Sequence, residues 1–268
     1  MNSQPEIYPL TNRRGQTFYG YLYRAKKAQG LAITQHGFSG SVVEEHTQAT
    51  IAAYLDNGYT VFAPDCTNSF NDADGSIEES TMQAHLHDLE DTIAWAEKQE
   101  WYREPFALAG HSLGGFAVLL YAENNSQKIK TLFPAAAALN GPLLAEAYAK
   151  NQPKQFQQFR EYGFDLKECS YKDGVTGYRY WSWFESMYDY DALAYANRLR
   201  MPVLLIVGEQ DESCPPEHQQ KLYDALPGPK NMHIIESADH CYQPKVDEMQ
   251  RLLDNWLQKQ VHVSLDTG

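Results

Sequence analysis

The sequence predicts an α/β fold with a mostly parallel central sheet and helices on both faces. Along most of the 268 residues, short apolar runs alternate with segments of helical spacing. Several of these runs lead directly into glycine-containing turns, as at Gly37 and Gly110. No internal repeat or low-complexity tract interrupts the alternation. Repeated strand–helix units of this kind build a sheet that is buried on both sides.

The predicted elements follow from apolar periodicity and from turn residues. An antiparallel hairpin opens the chain, and strands then alternate with helices as far as a last amphipathic helix. The predicted strands are 7–10, 17–23, 31–34, 60–63, a run starting at 106, 202–207 and 232–235, with a further apolar segment at 131–139. The predicted helices are 44–57, 82–98, 116–122, 217–225 and 246–260.

Residues 140–197 depart from this pattern. The stretch is first polar and then crowded with tyrosine, tryptophan and phenylalanine. We therefore predict one core, residues 1–139 and 198–268, with an inserted aromatic-rich cap at 140–197. Tyr180, Trp181 and Trp183 are our candidates for lining a substrate pocket beneath the cap. Simple packing of these rings against the core is the alternative.

Composition and charge exclude several classes of protein. A net charge of −13 disfavours nucleic acid and anionic membranes as partners, because both surfaces would repel the chain. No run of eighteen or more apolar residues is present, so we expect no membrane span. The four cysteines are too few and too scattered for a disulfide scaffold.

The first residues, 1–6, lack the basic and apolar regions of a signal peptide. We expect a cytoplasmic protein, unless a signal was removed before this sequence begins. The sequence leaves the oligomeric state open and is compatible with a homodimer.

Gly110-His111-Ser112-Leu113-Gly114 is the motif around which the candidate site is built. Gly-x-Ser-x-Gly occurs by chance in many chains, where its serine lies in an ordinary loop. Here an apolar strand precedes Ser112 and a helical run follows it, which is the context that the motif requires. Ser112 is therefore our candidate nucleophile, on a sharp turn where side chains at the glycine positions would collide with neighbouring backbone.

A serine nucleophile needs an imidazole to take its proton and a carboxylate to hold that imidazole. Such groups gather in the loops that follow strands at their carboxyl ends. Asp211, after the strand ending at Val207, is our candidate acid, with Glu209 as its rival. Of nine histidines, His240 alone combines a loop position, a preceding strand and a place after the acid, and is our candidate base. Its neighbour Asp239 is better suited to a turn.

Acyl transfer places negative charge on a carbonyl oxygen, and each well-placed amide stabilises that charge by on the order of 3 kcal/mol. The amide of Leu113 is one candidate donor, at a helix N-terminus. The amide of Phe38 is the second, since Gly37 allows close backbone approach, and Ser39 is a weaker alternative. We expect His36 to pin this loop by hydrogen bonds.

We expect no cofactor and no metal. His85, His87 and Asp88 have the composition of a ligand cluster, but on a helix His85 and His87 point to different faces. No glycine-rich nucleotide or phosphate motif is present.

Taken together, these motifs resemble the α/β-hydrolase superfamily over nearly the whole chain. His36-Gly37-Phe38-Ser39-Gly40, the Ser112 motif, residues 208–215 and Asp239-His240-Cys241-Tyr242 are similar to bacterial feruloyl (cinnamoyl) esterases and related small carboxylesterases. The chain departs from those esterases at Leu113, where they typically carry glutamine. The resemblance implies Ser112 as nucleophile, Asp211 as acid, His240 as base and oxyanion amides at Phe38 and Leu113.

The sequence thus predicts a serine carboxylesterase acting on a small-molecule ester, with an aromatic (hydroxycinnamate-like) or short acyl group. One alternative is a hydrolase that uses the same three residues on an amide, a thioester or a carbon–carbon bond. The other alternative is a binding protein that keeps the fold without catalysis.

Overall fold

The computed structural model describes residues 4–266, and the side chains of residues 4–260. The strands in this range are β1 (Glu6–Thr11), β2 (Thr17–Tyr23), β3 (Gly30–Gln35), β4 (Tyr59–Asp65), β5 (Phe106–His111), β6 (Ile129–Ala135), β7 (Phe164–Glu168), β8 (Thr176–Tyr180), β9 (Val203–Gly208) and β10 (Lys230–Ile235). The helices are α1 (Glu45–Asp56), α2 (Met82–Ala96), α3 (Leu113–Asn124), α4 (Gly141–Asn151), α5 (Pro153–Tyr162), α6 (Trp181–Glu185), α7 (Pro216–Ala225) and α8 (Val246–Asp266). No helix within residues 4–266 is both long enough and apolar enough to cross a bilayer.

The described chain forms an eight-stranded sheet in the order β1-β2-β4-β3-β5-β6-β9-β10. β2 runs antiparallel to β1 and to β4, and all the other neighbouring pairs are parallel. The predicted α/β fold with a mostly parallel sheet is confirmed. Its parallel strands end at one edge, where their following loops meet.

Both faces of the sheet are buried because successive side chains of each strand point to opposite sides. In β5, Phe106 and Leu108 join the apolar cluster under α2 and α3, whereas Ala107 and Ala109 join the cluster under α1 and α8. α3 lies in the first cluster and is buried along nearly its whole length. A helix that is apolar all round is stable only when covered in this way.

The segment between β6 and β9, residues 136–202, contains five of the elements given above, and we call it the insertion. α4 and α5 are followed by the antiparallel pair β7 and β8, and then by α6. Alternation across the pair turns Asp165, Lys167 and Arg179 to its inner face, and these side chains are the less exposed ones. Phe164, Leu166, Tyr178 and Tyr180 face outward and are about half exposed.

The apolar segment predicted at 131–139 is buried throughout, and only its first part is strand. β6 covers 129–135, and residues 136–139 continue as buried loop rather than strand. The chain turns at Ala136, which has a φ of 41°, and Ala138 N donates to Ser112 O at 3.3 Å. Apolarity at 136–139 therefore reflects burial beside the serine turn and not strand pairing.

The buried carboxyl of Glu123, near the end of α3, makes the stability of the fold depend on pH. Its side chain is 5% exposed and its Oε1 atom has no hydrogen-bond partner in the described chain. Burial raises the pKa of this carboxyl from 4.5 to about 8, although Arg198 opposes the shift. Between these two values the unfolded chain releases the proton while the folded chain retains it, so stability falls as the pH rises.

We predict that Glu123→Gln flattens this decline. The free energy of unfolding, measured in urea at about pH 5 and about pH 8.5, should drop less in the variant than in the wild type, by at least about 1 kcal/mol. Glu185→Gln, at an exposed position of α6, is the matched control and should follow the wild type. Equal declines in the wild type and Glu123→Gln would contradict the prediction.

Candidate active site

Ser112 lies at the join of β5 and α3 with a φ of 55° and a ψ of −113°. Few residues other than glycine adopt a positive φ, and such backbone persists only when its surroundings hold it. Here Ser112 N donates to Ala135 O at 2.9 Å, and Ser112 O accepts from Phe116 N at 2.9 Å. The strand and the helix thus fix the serine turn from both sides.

The two glycines of the motif are required by backbone contact. A Cβ atom at Gly110 would lie 2.4 Å from Gly114 O, and one at Gly114 would lie 2.3 Å from His36 O. Both distances are far below van der Waals contact, so any side chain would force the strand, the helix and the loop after β3 apart. The spacing of the motif therefore brings the His36 loop against the serine turn.

Ser112, His240 and Asp211 form one chain of hydrogen bonds. Ser112 Oγ lies 2.9 Å from His240 Nε2, and His240 Nδ1 lies 2.7 Å from Asp211 Oδ2. The other oxygen of Asp211 accepts from Ser213 N at 2.9 Å and Cys214 N at 2.8 Å. With its side chain fully buried, the carboxylate is held at a fixed place beside the imidazole.

The surroundings of His240 favour the charged form of its imidazole, although burial opposes it. Burial lowers the pKa of the His240 ring, but the charge and the hydrogen bond of Asp211 outweigh it, so the pKa lies above its ordinary value of 6.5. The carboxylates of Asp239 and Glu44 act in the same direction. A proton taken up by this ring is thus stabilised where it is needed.

His111 is a contact that sequence reasoning missed. Its Nε2–H donates to the backbone oxygen of His240 at 2.8 Å, and the two rings lie 4.8 Å apart. Burial, together with the neighbouring rings of His46 and His240, holds the pKa of His111 well below its ordinary value, so the ring is neutral. Its position inside the Gly-x-Ser-x-Gly motif was the available signal.

The rival acids have other partners. Glu209 Oε2 accepts from Ser237 N at 3.0 Å, and Asp239 Oδ1 accepts from Cys241 N and Gln243 N at 2.9 and 2.8 Å. Both carboxylates therefore fix turns beside the site, while Asp211 alone of the three bonds to the His240 ring.

Phe38 and Leu113 both line the space in front of Ser112, and the amide of neither donates a hydrogen bond within the described residues. A Cβ atom at Gly37 would lie 3.2 Å from Ser112 Cβ, so the loop passes directly beside the serine. His36 pins this loop: its Nε2 accepts from Cys66 N at 2.8 Å, and its Nδ1–H donates to Gly37 O at 2.8 Å. Ser39 also lines this space.

The cavity at Ser112 has a volume of about 280 Å³, and residues of the insertion contribute much of its wall. Of the three predicted lining aromatics, Trp183 is in the wall, but Tyr180 and Trp181 are not. Tyr180 is on the outer face of β8 and is 44% exposed. The indole of Trp181 instead stacks on Phe184 at 5.1 Å. The expectation for these two side chains is corrected accordingly.

A larger open groove, of about 1050 Å³, lies at the opposite edge of the sheet, near Gly30 and Thr60 at the amino ends of β3 and β4. It contains none of the predicted site residues. Because reacting groups gather at the carboxyl ends of parallel strands, the smaller cavity is the candidate site.

His85 and Asp88 are engaged in the fold. His85 Nε2–H donates to His36 O at 2.8 Å, while Asp88 accepts from Thr67 and Asn12. The described part of the chain contains no group of three or more histidine, cysteine or carboxylate side chains that could hold a metal ion.

Known proteins resemble this chain in sequence or in fold. The chain is 24% identical over 242 residues to an uncharacterized 31.7 kDa protein in the traX-finO intergenic region of Escherichia coli, covering 79% of this chain and 82% of that protein. It is 23% identical over 234 residues to acetyl esterase Axe7A of Xylanibacter ruminicola, covering 86% of this chain and 46% of that protein.

Among solved structures, ferulic-acid-bound Est1E from Butyrivibrio proteoclasticus superposes with a TM-score of 0.77 at 21% identity, over 95% of this chain and 99% of that one. Mouse alpha/beta hydrolase domain-containing protein 10 gives 0.73 at 18% identity, over 95% and 99%. These likenesses show the α/β-hydrolase fold. A family model described as serine aminopeptidase, S33, matches residues 26–243. With that match spanning the serine turn and the loops of Asp211 and His240, the chain belongs to this family of α/β hydrolases.

Proposed function

We propose that this chain is a serine carboxylesterase that acts through an acyl-enzyme intermediate. The observation that supports the proposal most directly is the hydrogen-bond chain from Ser112 through His240 to Asp211, with distances of 2.9 and 2.7 Å. Its geometry suits proton transfer from the serine hydroxyl to the imidazole. The names of two similar proteins, an acetyl esterase and ferulic-acid-bound Est1E, point to esters as substrates.

In the proposed reaction Ser112 Oγ attacks the ester carbonyl while His240 Nε2 takes its proton. The buried Asp211 carboxylate stabilises the imidazolium, and the amides of Phe38 and Leu113 hold the oxyanion. His240 then gives the proton to the departing alcohol, which leaves the acyl group on Ser112. Water, deprotonated by His240, attacks the acyl-enzyme and releases the carboxylic acid. No step requires a cofactor.

We further propose that residues 140–197 form a cap over this site. The loop between β7 and β8 contacts the opposite wall: Ser170 Oγ donates to Glu44 at 2.8 Å, and Tyr171 OH donates to Gly40 O at 3.4 Å. A cavity of about 280 Å³ with Phe38, Trp183 and Met187 in its wall suits a short or aromatic acyl group.

Amide hydrolysis is the second candidate, because the matching family model is described as a serine aminopeptidase. An aminopeptidase must bind the free α-ammonium group of its substrate, which calls for an acceptor near Ser112. Glu44, a carboxylate in the cavity wall, accepts one hydrogen bond on each oxygen, from Ser41 N and Ser170 Oγ. We favour the ester because a similar protein that covers most of this chain is named an acetyl esterase, and matched amino-acid ester and anilide substrates separate the two reactions.

We predict that Ser112→Ala abolishes the activity. Turnover of p-nitrophenyl acetate should fall by roughly 10³- to 10⁶-fold, and labelling by a fluorophosphonate probe should disappear. Ser76→Ala, in an exposed loop, is the control and should be labelled like the wild type. A probe that still labels Ser112→Ala, or that leaves the wild type unlabelled, would refute the mechanism.

The pH profile supplies an independent test of Asp211. Because His240 must be neutral to act as base and its pKa lies above 6.5, kcat/KM should fall as the pH drops through that raised pKa. Asp211→Asn removes the charge that raises the pKa of His240, so the acid limb, the fall of kcat/KM on the acidic side of the profile, should move to lower pH. The same variant should lower kcat by about 10³- to 10⁴-fold.

Asp239→Asn is the matched control for this experiment. Asp239 adjoins His240 but bonds to backbone amides of its own turn. Its variant should keep most of the activity, with a smaller displacement of the acid limb. If Asp239→Asn rather than Asp211→Asn caused the large loss, the assignment of the acid would be wrong.

A further inference from the structure

A group of charged side chains lies in the cavity wall that the insertion contributes. Arg179 of β8, Lys167 of β7 and Tyr148 of α4 all line the cavity. Asp165 links them: Arg179 Nε and Nη2 donate to its two oxygens at 2.9 and 2.6 Å, and Lys167 Nζ lies 3.5 Å from Oδ2. Arg179 Nη1 donates to Tyr148 OH at 3.0 Å. We call these four residues the cationic wall.

The cationic wall has more donors than acceptors. A guanidinium carries five N–H groups, and within the described chain three of those on Arg179 have partners. Both oxygens of Asp165 accept from Arg179, and the hydroxyl of Tyr148 has Arg179 and Ser213 as partners. Two cations face one carboxylate, a local excess of one positive charge in a chain whose net charge is −13.

The positions of these charges are fixed. The guanidinium carbon of Arg179 lies 4.6 Å from the ring centre of Trp183 and 4.7 Å from that of Phe159, so aromatic rings hold it while Asp165 orients its plane. Burial would raise the pKa of the Tyr148 hydroxyl, yet Arg179 and Lys167 bring it below its ordinary value. Both cations therefore act on the Tyr148 hydroxyl in the cavity wall.

Two carboxylates, Glu44 and Glu168, also line the cavity. Glu44 accepts from Ser41 N and Ser170 Oγ and lies 3.9 Å from His46. Glu168, next to Lys167, is at an exposed position of β7, where solvent screens its charge. Two N–H groups of Arg179 remain without a hydrogen-bond partner in the described chain.

We propose that the cationic wall binds a carboxylate of the substrate, and that the preferred substrates are esters whose acyl part ends in a carboxylate, such as monoesters of short dicarboxylic acids. The position of Phe38 sets the distance between the scissile carbonyl and the bound carboxylate. The amide of Phe38 is the proposed oxyanion donor beside Ser112, and its ring lies 5.9 Å from the Arg179 guanidinium. The carboxylate therefore lies a few bonds from the scissile carbonyl. This assignment of substrate class rests on the proposed esterase function.

The test compares two substrates of equal chain length, monoethyl glutarate and ethyl pentanoate, by acid release in a pH-stat. The wild type should have a kcat/KM at least about tenfold higher for the glutarate ester, expressed mainly in KM, because charge-assisted hydrogen bonds contribute at this level. A ratio near or below one in the wild type would overturn the proposal.

Lys167→Met is the decisive variant, since Arg179 is almost fully buried and its removal would take away both hydrogen bonds that Asp165 accepts from it. The ratio of the two kcat/KM values should fall about tenfold in Lys167→Met and recover in Lys167→Arg. Lys172→Met, on the same hairpin but outside the cavity, should keep the wild-type ratio. If Lys167 were only structural, both substrates would suffer equally and the ratio would not change.

Binding to the Ser112→Ala variant separates this proposal from the esterase itself. Calorimetry on Ser112→Ala should detect binding of monoethyl glutarate and little or no binding of ethyl pentanoate, with binding of monoethyl glutarate weakened in the Ser112→Ala, Lys167→Met double variant. Binding of monoethyl glutarate without hydrolysis of either ester by the wild type would keep the carboxylate site and refute the esterase. Hydrolysis of both esters at similar rates, or no preference for glutarate, would refute the carboxylate site and leave the esterase standing.

Discussion

The close approach of three backbone segments at the serine turn is the constraint on which the rest of the site depends. β5 and α3 touch at Gly110 and Gly114, and the loop after β3 touches α3 at Gly114, where a Cβ atom would lie 2.3 Å from His36 O. The same contact that holds Ser112 at a positive φ therefore places the Phe38 loop beside it. Ser112, the proposed nucleophile, and the proposed oxyanion donors share one rigid support, which is the preorganisation that charge stabilisation requires.

Asp211 and His240, the proposed acid and base, are positioned by a second backbone contact of the same kind. β9 and β10 are parallel neighbours, so the loops of Asp211 and His240 leave the sheet side by side. A Cβ atom at Gly208 would lie 2.3 Å from Ala238 O, and Gln210 N donates to that oxygen at 2.8 Å. The distance between carboxylate and imidazole is thus fixed by main-chain packing, and their side chains need little reorganisation.

The sequence could predict the features that depend on local contacts, and it could not predict those that depend on contacts between distant segments. Strand and helix periods are local, and the order of serine, acid and histidine on successive strand ends limits the candidates to Ser112, Asp211 and His240. The wall of the cavity is formed by segments that are far apart in the sequence. Tyr180 and Trp181 were predicted to line the cavity because they are aromatic residues of the predicted cap. The alternation of β8 turns Tyr180 outward, and Trp181 packs against Phe184 instead of lining the cavity. Arg179, one position earlier, faces inward instead.

Arg179 illustrates why a buried charge in the insertion calls for an explanation beyond stability. Its side chain is 1% exposed among aromatic rings, and burying such an ion is costly even when a carboxylate pairs with it. Apolar residues of similar volume would pack this hairpin against α4 at least as well. Asp165 balances one charge, yet Lys167 adds a second cation on the same face of β7. The two cations thus exceed the single negative charge of Asp165. In the wall of the cavity that contains Ser112, this arrangement is suited to a negatively charged ligand.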